Sequence, residues 1–532
     1  MRVASRALPV VSVDRSSPRP LYRQLYEGYR NAIAERRLTP GERIPSTRGL
    51  AAELRISRIP VLNAFEQLLA EGYFESRIGS GTFVAGSPVE RVSRPSRGPG
   101  EKTLPRRAPR TVSRRATGLV RVKPGPWLSG FGPFNMGEPP VDRFPRAVWS
   151  RLVGRHSRRL DASQLHYPSP MGMESLREAV AEYLRTARGV SCEAEQIMIV
   201  SGSQQALDLS ARVLADPGSP VWIEDPAYFG ARNVLNMAEA RLVPVPVDAE
   251  GLNVSAGIAR CPRPRAIFVT PSHQFPLGVT MSASRRLQLL DHARQAGAWV
   301  VEDDYDSEYR YGNMPIAALQ GLDRDSRVLY VGTFTKILFP AIRLGYMVLP
   351  EDLISPFFEA RRAADTCPPL FLQSVVAEFI REGHFARHIR RTRVICRERR
   401  TALVEALERE LGGVLEVLGD SAGMYLSVAL PAGWRDREIS NRAGAHGVWA
   451  APLSETYVGP VRRNGLILGY GGTPAAQLGV AVSRLRDVLR DYARDRPRGP
   501  SRTAATRRSA AGAGRSRVAA RRGGSARRAE PL

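Results

Sequence analysis

Lysine is nearly absent from this sequence: of 78 basic residues only Lys102, Lys123 and Lys336 are lysine. The first two lie in a Pro- and Arg-rich stretch, so chemistry that needs a primary amine within folded structure has one candidate, Lys336. Cysteine is scarce as well. Cys192, Cys261, Cys367 and Cys396 are far apart and form no CxxC pair, which fits free thiols in a reducing, cytoplasmic setting. No apolar run approaches the ~18 residues needed to span a bilayer. The short run Ala7–Val13, broken by Pro9, is too weak for a signal peptide. No membrane partner is expected.

What is present is a long, basic chain. At 532 residues it exceeds one ordinary core, and 43% hydrophobic with 24% charged residues is a globular composition. Most of the net charge of +26 is localised: segment 87–126 holds 11 Lys/Arg against 2 acids, and segment 496–532 holds 11 Arg against 1. Both are rich in Pro, Gly, Ser or Ala, lack hydrophobic periodicity and read as a disordered basic linker (87–126) and a disordered Arg-rich tail (495–532). They either add non-specific phosphate contact or are simply solvated.

The region 18–86 has a compact helical pattern. Leu21, Leu25, Tyr29 and Ile33 mark an amphipathic helix that ends before the Pro40-Gly41 turn. Ser46 can cap a second helix, Thr47 to Leu54. Ser57 can cap a third, Arg58 to about Glu71, with Pro60 tolerated in its first turn. Two short strands, at Tyr73–Glu75 and Gly79–Val84, follow around a turn. Three helices and a hairpin in so short a span predict a winged helix-turn-helix. Helix N-termini at Ser46 and Ser57 can face phosphates, and Arg48 and Arg58 can reach phosphates or a guanine edge. Gly79 and Gly81 let the wing approach a duplex closely.

From 127 to 494 the pattern changes to alternating strands and helices. Strands are predicted at Ile197–Val200, Val221–Ile223, Ala266–Thr270, Trp299–Glu302, Val328–Val331 and Tyr346–Val348, with helices such as Ser203–Leu214 and Ser284–Ala296 between them. This predicts an α/β, doubly wound, mostly parallel sheet. Helices at 370–410 and strands at 423–428 and 465–469 add a smaller C-terminal α/β lobe. Three segments fall at strand ends. Lys336, just beyond Val328–Val331, is an expensive placement for an amine unless it is neutralised or covalently committed, and a Schiff base with an aldehyde cofactor would commit it. Glu302-Asp303-Asp304-Tyr305 could supply a carboxylate to a pyridinium proton and a phenol to its neighbouring oxygen. It could also be a metal site or a solvated strand end. Ser201-Gly202-Ser203-Gln204 could cradle phosphate or be a plain helix cap. In an open α/β sheet all three converge where ligands bind.

Leu38-x-Pro40-Gly41-x-x-Ile44-Pro45-Ser46-x-Arg48-x-Leu50-Ala51, Ala64-Phe65-x-x-Leu68, Glu71-Gly72-Tyr73 and the wing Arg77-x-Gly79-Ser80-Gly81-Thr82 resemble the GntR-family winged helix. The resemblance implies an operator-DNA surface formed by Ser46, Arg48, Ser57, Arg58, Arg77, Gly79, Ser80 and Thr82. Residues 127–494 resemble the fold type I aminotransferase-like, pyridoxal 5′-phosphate (PLP) binding domain of the MocR/GabR regulators. His166-Tyr167-Pro168, Gln204-Gln205-Ala206-Leu207-Asp208, Trp222-x-Glu224-Asp225-Pro226-x-Tyr228, Glu302-Asp303-Asp304-Tyr305 and Gly332-Thr333-Phe334-x-Lys336 carry it. By that resemblance Lys336 forms the Schiff base (internal aldimine), Asp303 pairs with the pyridine nitrogen and Tyr305 donates to O3′. Tyr228 stacks on the ring, while Gly202, Ser203, Gln204, Thr333 and Arg343 surround the phosphate. Tyr167 reaches the partner's site in a homodimer. No metal is called for.

Two departures shape the functional expectation. The aminotransferase Asn-Pro-Thr-Gly turn reads His273-Gln274-Phe275-Pro276 here, so His273 or Gln274 must replace the asparagine or its contact is missing. Gly465 stands where an α-carboxylate-binding arginine is expected, with Arg462 and Arg463 out of register. The expected function is a DNA-binding transcription regulator that senses PLP, or an amine or amino acid, through the aldimine at Lys336, with transaminase activity vestigial. PLP itself is the favoured signal and vitamin B6 supply the favoured role. The alternative is a working PLP-dependent aminotransferase with an accessory DNA-binding domain, and a third possibility is a scaffold without PLP.

Overall fold

The computed structural model describes residues 11–86, 113–117, 132–160, 165–312, 317–419 and 422–495. Most of the two basic stretches predicted to be disordered, 87–112, 118–126 and 496–532, lies outside the described residues. Within the first, Arg114–Thr117 form a single helical turn. The chain divides into two compact units, Met1–Arg110 and Thr111–Leu532. Among the described residues no helix is long and apolar enough to cross a membrane.

The first unit contains α1 (Leu21–Ala34), β1 (Arg43–Ile44), α2 (Thr47–Glu53), α3 (Arg58–Ala70), β2 (Phe74–Arg77) and β3 (Gly81–Val84). The predicted apolar stripe of α1 is its core face: Leu25, Tyr29 and Ile33 are buried. Tyr29, Phe65 and Phe74 meet edge to face with ring centroids 5.2–5.7 Å apart, tying α1, α3 and the wing together. The wing hairpin gains a third strand that the sequence pattern had not signalled. At two residues, β1 is too short to show alternation, and it pairs with β3 through Arg43↔Phe83 and Ile44↔Thr82.

The two helix caps behave differently. Ser46 accepts a hydrogen bond from the Gly49 amide at 3.1 Å, as expected. Ser57 takes the extended N-cap conformation at the start of α3, but its side chain accepts no cap hydrogen bond. Pro60 occupies the third helical position, and proline has no N–H to donate. Ser57 therefore marks the start of α3 without capping it, a correction to the sequence expectation.

The second unit is built on an eight-stranded sheet, ordered β4-β11-β10-β9-β8-β5-β6-β7. Its strands are β4 (Ile197–Val200), β5 (Pro220–Asp225), β6 (Arg241–Asp248), β7 (Gly251–Leu252), β8 (Ala266–Val269), β9 (Trp299–Asp304), β10 (Val328–Thr333) and β11 (Gly345–Val348). The pairs β6/β5, β5/β8, β8/β9 and β9/β10 are parallel. β11 runs antiparallel to both of its neighbours, β10 and β4, and β7 is antiparallel to β6. Neither β6 nor β7 was predicted: β6 alternates Val243, Val245 and Val247 with Pro244 and Pro246, and a proline inside a run argues against a strand unless it lies near a sheet edge. The smaller lobe has the antiparallel sheet β12-β13-β15-β14, from Glu416–Leu418, Tyr425–Ala429, Gly465–Gly469 and Ala451–Pro452. The helices His384–Leu411, Asp436–Ala445 and Ala475–Asp495 contribute to the hydrophobic core beneath it.

Candidate functional site

The carboxyl ends of β4, β5, β8, β9 and β10 open on one side of the large sheet, where the parallel strands leave unpaired backbone and a crevice. A cavity of about 290 Å³ lies there, and Ser203, Tyr228, Asp303, Tyr305 and Lys336 line it together with Asn135–Gly137, Asp306, Met424 and Tyr425. Five of the residues singled out in sequence, contributed from positions 203 to 336, thus face one space.

Strand alternation decides which acid of Glu302-Asp303-Asp304 enters it. Successive side chains of β9 point to opposite faces. Glu302 turns away and accepts the backbone N–H groups of Leu319 and Gln320 at 2.8 and 2.9 Å. Asp304 turns away too and takes Arg188 Nη2 and the Tyr330 hydroxyl, both at 2.6 Å. Asp303 alone lines the cavity. It is 7% exposed, and its Oδ1 is buried without a hydrogen-bond partner. Burial, reinforced by Asp304 and Asp306, pushes its carboxyl up to about 7, against the opposing pull of Lys336.

Lys336 follows β10, and its Nζ donates to the Gly137 carbonyl oxygen at 2.8 Å. Burial lowers the amine's pKa, while Asp306, Asp303 and Glu138 favour its charged form. Tyr305 Oη donates to the His273 carbonyl at 2.9 Å and lies 2.7 Å from Tyr425 Oη. His273, buried beside them, has Nδ1 3.0 Å from Asp306 Oδ2 and leaves Nε2 without a partner. It lies behind Tyr305 and is not among the residues lining the cavity. Gln274 turns its amide to the carbonyls of Pro226 and Phe275 and to Glu224, so it is committed to the loop itself.

Opposite, the helix Ser203–Leu214 presents its N-terminus to the cavity, with Gly202 at φ +82°. A Cβ on Gly202 would stand 3.4 Å from the Arg343 guanidinium, which donates to the Ser201 carbonyl at 2.8 Å. Gln204 Oε1 accepts from Tyr228 Oη at 3.3 Å, and its Nε2 donates to the Gly230 carbonyl at 3.1 Å. Thr333 is buried at the end of β10, where its hydroxyl accepts the Thr335 amide at 3.2 Å, whereas the Thr335 hydroxyl is buried and unpartnered. Tyr167 stands apart, 89% exposed on the surface of the single chain.

Asn135–Gly137, Met424 and Tyr425 were not anticipated. Glycine at 137 adopts φ +75°, and the only signal was the turn-like Gly137-Glu138-Pro139-Pro140, which says nothing about what it faces. At the position where a carboxylate-binding arginine was sought, Gly465 opens β15, and Arg463 pairs with Glu416 at 3.5 Å on an exposed surface. Among the described residues that line the cavity there is no arginine.

In the first unit, Arg48, Ser57, Arg58, Arg77, Gly79, Ser80 and Ser46 are exposed, and Thr82 is half-buried. Arg58 Nε donates to the Thr47 hydroxyl at 3.2 Å, linking the starts of α2 and α3. Arg77 pairs with Glu75 at 2.6 Å and lies over the Phe83 ring, 4.6 Å from its centroid. Gly79 and Ser80 form the turn itself, and strand β3 begins only at Gly81.

Fold and site together define a winged helix-turn-helix joined to a domain of the fold used by PLP-dependent aminotransferases. The chain matches the bacterial regulatory proteins of the gntR family over residues 21–84 and aminotransferase class I and II over residues 134–484. It is similar to the probable rhizopine catabolism regulatory protein MocR of Rhizobium meliloti, 39% identical over 90% of this chain and 95% of that one. It is also similar to the pyridoxine biosynthesis transcriptional regulator PdxR of Corynebacterium glutamicum, 28% identical over 90% of this chain and 98% of that one. Among solved structures, the α-aminoadipate aminotransferase LysN of Thermus thermophilus superposes with a TM-score of 0.67 at 29% identity, covering 72% of this chain and 98% of that one. The chain belongs to the MocR/GabR-type transcription regulators, GntR-family heads fused to an aminotransferase-like domain.

Proposed function

We propose that this chain is a DNA-binding transcription regulator whose state is set by PLP held covalently at Lys336. The observation that carries the reading is Asp303: a buried carboxylate oxygen without a partner, in the same cavity as the chain's one lysine outside the basic linker. A buried acceptor left unmet is costly, and a pyridinium N–H supplies the missing donor. The remaining residues fit the group as well. Tyr228 offers a ring face, Tyr305 a phenol, and the N-terminus of Ser203–Leu214 with Arg343 nearby an anion-binding end.

When bound, PLP supplies an aldehyde for amine capture and a ring that withdraws electrons. The chain's own residues would do the rest. Lys336 would bind the aldehyde carbon, Asp303 would hold the proton at the ring nitrogen, and Tyr305 would orient the ring oxygen with His273 and Asp306 behind it. Gly202, Ser203, Gln204, Thr333 and Arg343 would enclose the phosphate, and Tyr167 would complete the site of a partner subunit. In the head, Ser46, Arg48, Ser57, Arg58, Arg77, Gly79, Ser80 and Thr82 would meet operator DNA.

With Arg343 assigned to the phosphate end and no arginine among the described residues lining the rest of the cavity, PLP itself, or an amine lacking an α-carboxylate, is supported as the signal over an amino acid, and efficient transamination is disfavoured. A regulator needs only a difference of a few kcal/mol in affinity between two states. The deciding experiment is an absorbance titration with PLP, then with amines and amino acids, with operator binding followed in parallel. A visible band that borohydride fixes on Lys336, and an operator affinity that changes with PLP, are the expected results. A label fixed on Lys102 or Lys123 would refute the site, and rapid turnover of amino acids would favour the enzyme.

A further inference from the structure

The segment that shapes the first cavity also shapes a second. Beyond Tyr305 the chain runs through Ser307, Glu308 and Arg310, which line a separate cavity of about 540 Å³. Arg188, from the end of helix Glu174–Arg188, and Arg390 and Arg393, from helix His384–Leu411, line it too. Four arginines and one carboxylic acid, Glu308, therefore line this space.

That carboxylate is poorly placed to neutralise them. Glu308 is 7% exposed and accepts the Tyr183 hydroxyl at 2.8 Å. Burial, and next the charge of Asp304, push its carboxyl above the usual range against the pull of Arg188. Arg188 is itself paired with Asp304. Arg393 Nε donates to the Glu308 backbone carbonyl at 2.7 Å, and Arg310 Nη1 reaches the Ser272 carbonyl and the Thr280 hydroxyl, each at 3.3 Å.

Two donors in this wall are unmet. Ser307 is 5% exposed, and its hydroxyl has no hydrogen-bond partner; Arg310 Nε is likewise buried and unpartnered. Both atoms are walled off from the open space, so an acceptor entering the cavity would meet its arginine lining rather than these two donors. Guanidinium forks suit the oxygens of carboxylate and phosphate groups, and the volume suits a small organic molecule better than a lone ion.

We propose that this cavity binds a small organic oxyanion, a carboxylate or a phosphate monoester, at a site distinct from the one around Lys336. The inference does not depend on PLP occupying the first cavity. Ser307 and Arg310 share a segment with Tyr305 and Asp306, so an anion held here touches the chain that shapes the first site.

The test is calorimetric titration of the full chain with succinate and with inorganic phosphate at constant ionic strength. One saturable site per chain is expected for at least one probe, weakened tenfold or more by Arg390→Gln and by Arg310→Gln. Arg390 is exposed, so its variant should fold even if loss of the half-buried Arg310 perturbs packing. Arg343→Gln, at the first cavity, should leave this binding unchanged. Saturation with phosphate alone or succinate alone identifies which oxyanion the site takes. No saturable heat with either probe, binding indifferent to Arg390→Gln and Arg310→Gln, or binding lost in Arg343→Gln instead would overturn the proposal.

Discussion

Lys336 Nζ donates to the carbonyl oxygen of Gly137, a contact of 2.8 Å between residues 199 positions apart. Gly137 sits at φ +75°, and a Cβ there would come within 2.4 Å of the amine. An L side chain in the left-handed region costs roughly 1–2 kcal/mol, and this one would also displace the lysine. Gly137→Ala should therefore lower PLP affinity by about tenfold or more, equivalent to ~1.4 kcal/mol. Operator binding by the head should survive when tested without PLP. Spectrophotometric PLP titration checks it, and unaltered affinity would show that Lys336 does not need this neighbour.

Asp303 gives a pH prediction whose sign follows from its raised pKa. With the folded value about 7 against an ordinary 3.8, the folded state holds a proton that the unfolded chain releases. The group's penalty therefore grows as pH rises from about 4 to 7 and is then constant. In PLP-free protein, Asp303→Asn removes that penalty. The variant should be the more stable of the two, by a wider margin at pH 8 than at pH 5, while binding PLP more weakly. Thermal melts at the two pH values check it. If Asp304→Asn gave this pattern instead, the side of β9 that faces the cavity would be misassigned.

Much of this was legible in the sequence because its signals are local. Apolar alternation marks the buried strands, and the scarcity of lysine isolates Lys336. Separate strand ends at 203, 303 and 336 can meet only where a parallel sheet brings them together. What escaped detection was non-local or too short. β1 has two residues, β6 carries two prolines, and Gly137 and Tyr425 reach the cavity through tertiary packing. The missing Ser57 cap was in part readable, since Pro60 three residues on removes one of the two amides the cap could accept from. The commitment of His273 to Asp306 and Tyr305, by contrast, depends on side chains from several elements meeting.

The head can be separated from the cavity by mutation. Arg48 and Arg58 are exposed at the starts of α2 and α3, and neither belongs to the second unit. Arg48→Ala and Arg58→Ala should each weaken operator binding, by roughly 1–3 kcal/mol if a base edge is lost and by less if a phosphate is lost. Loss of a phosphate contact would also flatten the salt dependence of binding. PLP titration should not change in either variant. Fluorescence anisotropy at two salt concentrations distinguishes the cases, and unchanged operator affinity in the double variant would refute the assigned DNA surface.

Tyr167 supplies the last prediction because its exposure is otherwise unexplained. An 89% exposed tyrosine on one chain, flanked by His166 and Pro168 in the motif that carries the family resemblance, fits a side chain that acts on another subunit. If it completes a partner's phosphate site, PLP binding and dimerisation are thermodynamically linked: a ligand that binds only the dimer must stabilise it. PLP should then lower the concentration at which the full chain dimerises, and Tyr167→Ala should reduce both PLP affinity and this linkage. Two heads held in one dimer would gain effective concentration on paired half-sites. Weaker dimerisation should therefore weaken operator binding most at low protein concentration. Sedimentation velocity over a dilution series, with and without PLP, measures the linkage. A monomer that binds PLP with full affinity would rule out the shared site and leave Tyr167 as an ordinary surface residue.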